Sequence, residues 1–119
     1  MLQKFDSRNA DLKVFIKDRL YPRDQAKVSV FDSVVQGGDA VWEGLRVYPE
    51  GIVCLEHHLN RLMASAKTLA FVDIPTKEFV KSAIDQTLKA NGMTDQTHIR
   101  LTLTRGEKIT SGMDPRLNQ

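Results

Sequence analysis

Cysteine is almost absent: one residue, Cys54, in 119. A disulfide within the chain is therefore excluded, and the usage suits a reducing compartment, the cytoplasm or an organelle with a reducing interior. Cys54 itself falls in a strand-like stretch and is expected to be a small core residue rather than a nucleophile. Long apolar runs are also missing. None approaches the roughly 20 residues of a membrane-spanning helix. The first eight residues, Met-Leu-Gln-Lys-Phe-Asp-Ser-Arg, carry charge where a signal peptide needs an apolar centre. Charge of one sign is lacking too. Seventeen basic residues face fifteen acidic ones, for a net charge of +2, and the basic residues are scattered. The charge pattern thus gives no reason to expect nucleic acid or membrane as a partner. Repeats, linkers and low-complexity runs are absent, and 119 residues set one domain as the starting expectation.

What is present is concentrated between Gly37 and Lys67. Residues 40–48 alternate as a strand does, with Val41, Glu43, Leu45 and Val47 on one side and Trp42, Gly44, Arg46 and Tyr48 on the other. Pro49-Glu50-Gly51 reads as a turn, with Gly51 able to take a positive φ. Residues 52–55 would return as a second strand to close a hairpin. A helix is predicted to follow, because Leu59, Leu62, Met63, Ala66 and Leu69 fall on one stripe, with Arg61 just off its edge.

Along the rest of the chain, residues 1–10 are polar and are expected to be a loose segment or a leader. Leu12, Val14 and Ile16 alternate with Lys13, Phe15 and Lys17 as a first strand. Residues 19–21 read as a second, ended by Pro22 and the charged residues after it. Residues 28–31, Val-Ser-Val-Phe, read as a third, and 32–38 as irregular. Thr76 is a candidate N-cap for a second helix whose apolar stripe is Phe79, Val80, Ala83, Ile84, Thr87 and Leu88, closed by Asn91-Gly92. Residues 97–104 alternate again, and Arg105-Gly106 ends them. The predicted fold class is α+β: a mainly antiparallel sheet of about six strands with two helices packed on one face. The expected organisation is a domain over 11–106, with 107–119 starting a connection to a second domain.

The linked motifs Gly-Asp-x-Val-aromatic-Glu-Gly-x-Arg-x-Tyr (38–48) and Glu-His-x-x-Arg-Leu-x-x-Ser-Ala (57 and 58 both His) resemble the N-terminal domain of class IV, fold type IV aminotransferases, which use pyridoxal 5'-phosphate (PLP). The resemblance runs from about residue 28 to 116, and Trp42-Glu43-Gly44-Leu45-Arg46 is closest to the branched-chain group. It implies the small domain of a homodimeric enzyme that moves an amino group between an amino acid and a 2-oxo acid. Two departures limit it. Gly37 stands where branched-chain enzymes often carry Tyr. Arg116 is followed by Leu117-Asn118 rather than the Arg-x-His of the D-amino acid branch, so D-amino acid activity is not expected.

PLP chemistry needs a lysine to hold the cofactor, a cationic clamp for its phosphate and an acidic partner for the ring nitrogen. None of the nine lysines matches the family's catalytic position. Lys67 reads as a solvated helix residue, and this chain by itself is not expected to transaminate. The resemblance assigns the phosphate to Arg61, where a planar, permanently charged guanidinium suits two oxygens at once. It assigns the substrate to Trp42, Arg46 and Arg100. The bland readings are a surface arginine lying along the apolar stripe and a solvent-facing sheet side. His57-His58 does not read as a metal site, since adjacent side chains diverge and no third ligand is suitably spaced. Two further functions stay open on the sequence: a lyase of the 4-amino-4-deoxychorismate type on the same scaffold, and a non-catalytic domain that binds a ligand or partner.

Overall fold

The computed structural model describes residues 2–119. They divide into two compact units, residues 2–28 with Glu78–Met93, and Ser29–Lys77 with Thr94–Gln119. The α+β class holds, with five strands in two antiparallel sheets of two and three strands among the described residues.

In the first unit β1 (Lys13–Ile16) pairs with β2 (Arg19–Pro22), Ile16 opposite Arg19. The two residues between them turn the chain, and Lys17 takes a positive φ of 64°. The 15-residue helix labelled α3 (Lys77–Asn91) lies with this hairpin for all but its first residue, and buries Val80 and Ile84. Phe79 meets Phe15 edge-on at 6.1 Å. Asn91 is more than a cap: its side chain accepts from the Lys13 N–H and donates to the Lys13 carbonyl, standing in for a strand partner. The segment expected to be loose holds a short 3-10 turn at Ser7–Asn9, capped by Asp6; Met1 lies outside the described residues.

The second unit carries the predicted hairpin. β3 (Ala40–Tyr48) is central, with β4 (Gly51–Ile52) on one side and β5 (Thr97–Thr104) on the other. β5 pairs along nearly the whole of β3, from Ala40–Thr104 to Val47–Thr97. β4 pairs only with Val47 and Tyr48. A short helix, α1 (Ser33–Gly37), precedes β3, and α2 (Leu55–Thr68) follows β4 in the chain. It packs on β3, and Leu59, Leu62 and Ala66 of α2 are buried, as are Val41, Leu45 and Val47 of β3. Val41, Leu62, Ala66 and Phe71 form one core cluster, with Met63, Ile74, Leu101 and Leu103 packed around it.

Arg105 locks the end of α2 to the start of β3. Its guanidinium pairs with Asp39, donates to the Leu69 carbonyl at 2.7 Å and lies 4.7 Å above the Phe71 ring. A cation on free carbonyls at a helix C-terminus meets the negative end of the dipole.

Three sequence expectations change. Residues 28–31 form no strand, because the Ser29 hydroxyl and carbonyl take the N–H groups of Phe31 and Asp32 in a local turn that competes with a ladder. Residues 33–37 are helical rather than irregular, with Asp32 capping Val34 N–H at one end and Gly38 at φ 70° ending the other. Cys54 is neither in a strand nor in the core. It is exposed, has φ 54° and immediately precedes α2, so the returning strand stops at Ile52.

Leu62→Ala should lower the free energy of unfolding by about 2–5 kcal/mol, since it opens a cavity in the core cluster. Leu69→Ala, one residue past the end of α2 and 40% exposed, should cost less than about 1 kcal/mol. Denaturant unfolding of the two variants checks the contrast; equal losses would contradict the packing described.

Candidate cofactor and substrate site

Strict alternation places Glu43 on the helix-facing side of β3, between Val41 and Leu45, where only 4% of its side chain is exposed. A lone carboxylate there would be strongly destabilising, so it must find cations. α2 supplies one, Arg61, and beside it the imidazole of His58, one turn apart. Arg61 donates through Nε to both carboxylate oxygens, at 3.0 and 2.9 Å, and through Nη2 to Oε1 at 2.6 Å. His58 Nδ1 lies 2.6 Å from the same Oε1. Arg61, and then His58, hold the Glu43 carboxyl below the usual glutamate range, against burial that pushes it up. Glu43 in turn raises the pKa of Arg61, which stays charged.

The guanidinium is gripped along one edge only. Its side chain remains 59% exposed, and Nη1 has no hydrogen-bond partner among the described residues. A guanidinium has five N–H donors in a planar fork. With one donor on Nε and one on Nη2 engaged, both hydrogens of Nη1 and the second of Nη2 are left, and one from each nitrogen lines the Nη1–Nη2 edge that Glu43 does not occupy.

The other face of β3 is chemically different. Trp42 is 54% exposed, and the Arg100 guanidinium stacks 3.9 Å above its ring. Arg46 lies 5.8 Å over the ring of Tyr48, itself exposed. The β3–β5 register sets Gly44 opposite Arg100 and Arg46 opposite His98. The His98 ring leans across Gly44 so closely that a Cβ there would sit 3.0 Å from its Cε1, with the Trp42 ring at 3.6 Å. Glycine is what lets the rings and guanidinium groups share this surface. No carboxylate pairs with Arg46 or Arg100 among the described residues. The face is cationic and aromatic, and suited to organic anions.

Of the residues singled out in the sequence, Trp42, Arg46 and Arg100 thus share one face, while Arg61 reaches β3 from the opposite, helix-covered side. From the sequence, Glu43 falls on the same strand side as Val41, Leu45 and Val47 without a role, and His58 has none beyond the exclusion of a metal site. The signal was available: an acidic residue at an inward position of an otherwise apolar strand face needs a cation, and the next helix offers His and Arg three apart. His57, by contrast, is exposed, 6.5 Å ring to ring from His58. No group of three His, Cys, Asp or Glu among the described residues could hold a metal ion. No helix among them is long and apolar enough to cross a membrane.

Known proteins share this arrangement of sequence. Branched-chain-amino-acid aminotransferase-like protein 2 of Arabidopsis thaliana is 60% identical over 111 residues, covering 93% of this chain and 20% of the relative. A putative branched-chain-amino-acid aminotransferase of Methanocaldococcus jannaschii is 41% identical, over 88% of this chain and 36% of the relative. Among solved structures, the branched-chain aminotransferase of the thermophilic archaeon Thermoproteus uzoniensis, with norvaline, superposes with a TM-score of 0.76 at 30% identity, over 87% of this chain and 36% of that one. The chain therefore spans between a fifth and two-fifths of the length of these proteins. A further branched-chain amino acid aminotransferase, solved in complex with N-(5'-phosphopyridoxyl)-L-glutamate, superposes with a TM-score of 0.80 at 26% identity, over 92% of this chain and 38% of that one. The family model for amino-transferase class IV matches residues 40–117, and the chain belongs to the class IV aminotransferase family.

Proposed function

We propose that this chain is the N-terminal part of a PLP-dependent aminotransferase that moves an amino group between an amino acid, of the branched-chain type, and a 2-oxo acid. The observation that carries the reading is Arg61: a permanently charged fork, anchored on one edge by buried Glu43 and free on the other. The free edge fits a phosphate, because its remaining donors can meet two oxygens side by side. Arg61 would hold the PLP phosphate. When bound, PLP supplies the electron sink that lets an amino acid lose its α-proton. The lysine and the acidic residue that such chemistry requires are assigned to sequence outside this chain.

The open face of β3 is the substrate side of the reading. Arg46 and Arg100, free of carboxylate partners, would receive the carboxylates of the amino acid and the 2-oxo acid. Trp42 offers an apolar wall for a branched side chain. A surface that exposes Trp42 and Tyr48 is also the one we assign to the second domain and to the other subunit of a homodimer.

Arg61→Ala in the complete protein should weaken PLP binding about tenfold to a hundredfold, from the 1.5–3 kcal/mol of a hydrogen bond to a charged group. Arg61→Lys should recover part of that loss, keeping charge without the fork. Because the Ala variant leaves Glu43 with His58 alone, circular dichroism should accompany the absorbance titration. A folded Arg61→Ala protein with unchanged PLP affinity would remove Arg61 from the site. For the substrate face, Arg100→Gln and Arg46→Gln should each raise the KM for the 2-oxo acid by about tenfold or more. Steady-state kinetics with unaltered KM in both variants would separate this face from substrate binding.

A further inference from the structure

We infer that Glu43 is the positioning residue of Arg61: the buried carboxylate fixes the guanidinium by its Nε–Nη2 edge so that its Nη1–Nη2 edge is presented, already oriented, to a phosphate. This deepens the reading of Arg61 as the phosphate ligand and rests on it.

Three observations support the role. The first is placement. Glu43 sits on an apolar strand face where Val41 is 9% and Leu45 1% exposed. A well-packed apolar side chain would serve the core there as well or better, since buried ion pairs rarely surpass such replacements in stability. The carboxylate is thus poorly explained by stability alone. The second is geometry. Arg61 directs three hydrogen-bond contacts at one carboxylate from a helix position that leaves most of the side chain in solvent. A long side chain that exposed would otherwise sample many rotamers, and ordering it on binding lowers affinity. The third is the support behind Glu43. His58 lies against Oε1 from the same helix, one turn before Arg61, so the carboxylate is itself held on two sides. The groups facing Glu43 are Arg61 and His58 from α2; the neighbouring inward side chains of β3 are apolar.

Charge and positioning predict opposite signs for the removal of Glu43. A carboxylate beside a phosphate site repels the phosphate, so on charge alone Glu43→Gln should tighten PLP binding. If Glu43 orients Arg61, the same change should weaken it, by about threefold to tenfold, the cost of ordering one long side chain. The experiment is an absorbance titration of the complete apo-protein with PLP, for wild type, Glu43→Gln, Arg61→Ala and the double variant. The expected result is weaker binding for Glu43→Gln in the wild-type background and little or no further loss in the Arg61→Ala background. Tighter or unchanged binding in Glu43→Gln, or an equal loss with Arg61 already absent, would overturn the inference. An Arg61→Ala protein that binds PLP normally would instead remove the underlying reading. Should Glu43→Gln fail to fold, Glu43→Leu, which suits the apolar face, replaces it in the same cycle. The unmodified apo-protein gives an independent check through 15N relaxation of the Arg61 Nε–H. An order parameter near the ~0.85 of rigid backbone is expected, and one below about 0.6 would overturn the inference.

Discussion

A carboxylate with 4% of its surface exposed cannot stand without a cation. Glu43 satisfies that constraint through Arg61 and His58, and much of the second unit follows from it. The two partners come from a single helix, so the ion pair fixes the azimuth of α2 on β3. The same rotation drives Leu59, Leu62 and Ala66 onto Val41, Leu45 and Val47. Packing and electrostatics therefore demand one helix orientation rather than competing for two. The C-terminal end of α2 is held by Arg105, which donates to the Leu69 carbonyl and pairs with Asp39 ahead of β3. One arginine at the middle of the helix and one at its C-terminal end, each on a carboxylate of or beside the same strand, leave the helix little freedom to slide.

β3 divides the chemistry of this unit by its period of two. One face is core plus the buried Glu43; the other is Trp42, Gly44, Arg46 and Tyr48, open and cationic once β5 adds Arg100 and His98. The strand backbone between them keeps Arg61 on the helix-covered side, apart from Arg46 and Arg100. Three guanidinium groups, two on this sheet and one on the helix that packs on it, would repel if they converged unpaired. Here one is neutralised along one edge by Glu43, another stacks on Trp42 at 3.9 Å, and the third leans on Tyr48. Only one cation is held by a carboxylate and two lie over aromatic rings, so the open face can remain positive without collapsing onto internal carboxylates.

Much of this was legible in the sequence because it depends on local period. The alternation over Ala40–Tyr48, the span of β5 and the stripe of α2 need only neighbours in the chain to be read. Most of what escaped at the site depends on contacts far apart along the chain. Glu43 meets partners 15 and 18 residues away, and Arg105 meets Asp39 at a separation of 66. Residues 28–31 have the composition of a strand, yet Ser29 diverts their N–H groups into a turn. Leu69 continues the apolar stripe, but the helix ends one residue before it. The short helix after Asp32 was the reverse case: its Asp cap and Gly stop were both visible, and only its brevity hid it. Likewise the division into two sheets could not be read, because a strand's sequence states which side is buried but not which strand pairs beside it.

The central claim is that the buried carboxylate on β3 and the half-free guanidinium on α2 act as one unit to hold an anion. A crystal structure of the complete protein with PLP tests it most directly. The account predicts phosphate oxygens within about 3.2 Å of the Nη1 and Nη2 atoms of Arg61 while its Nε still donates to Glu43. A phosphate bound elsewhere, or an Arg61 that has left Glu43 to reach it, would contradict the account.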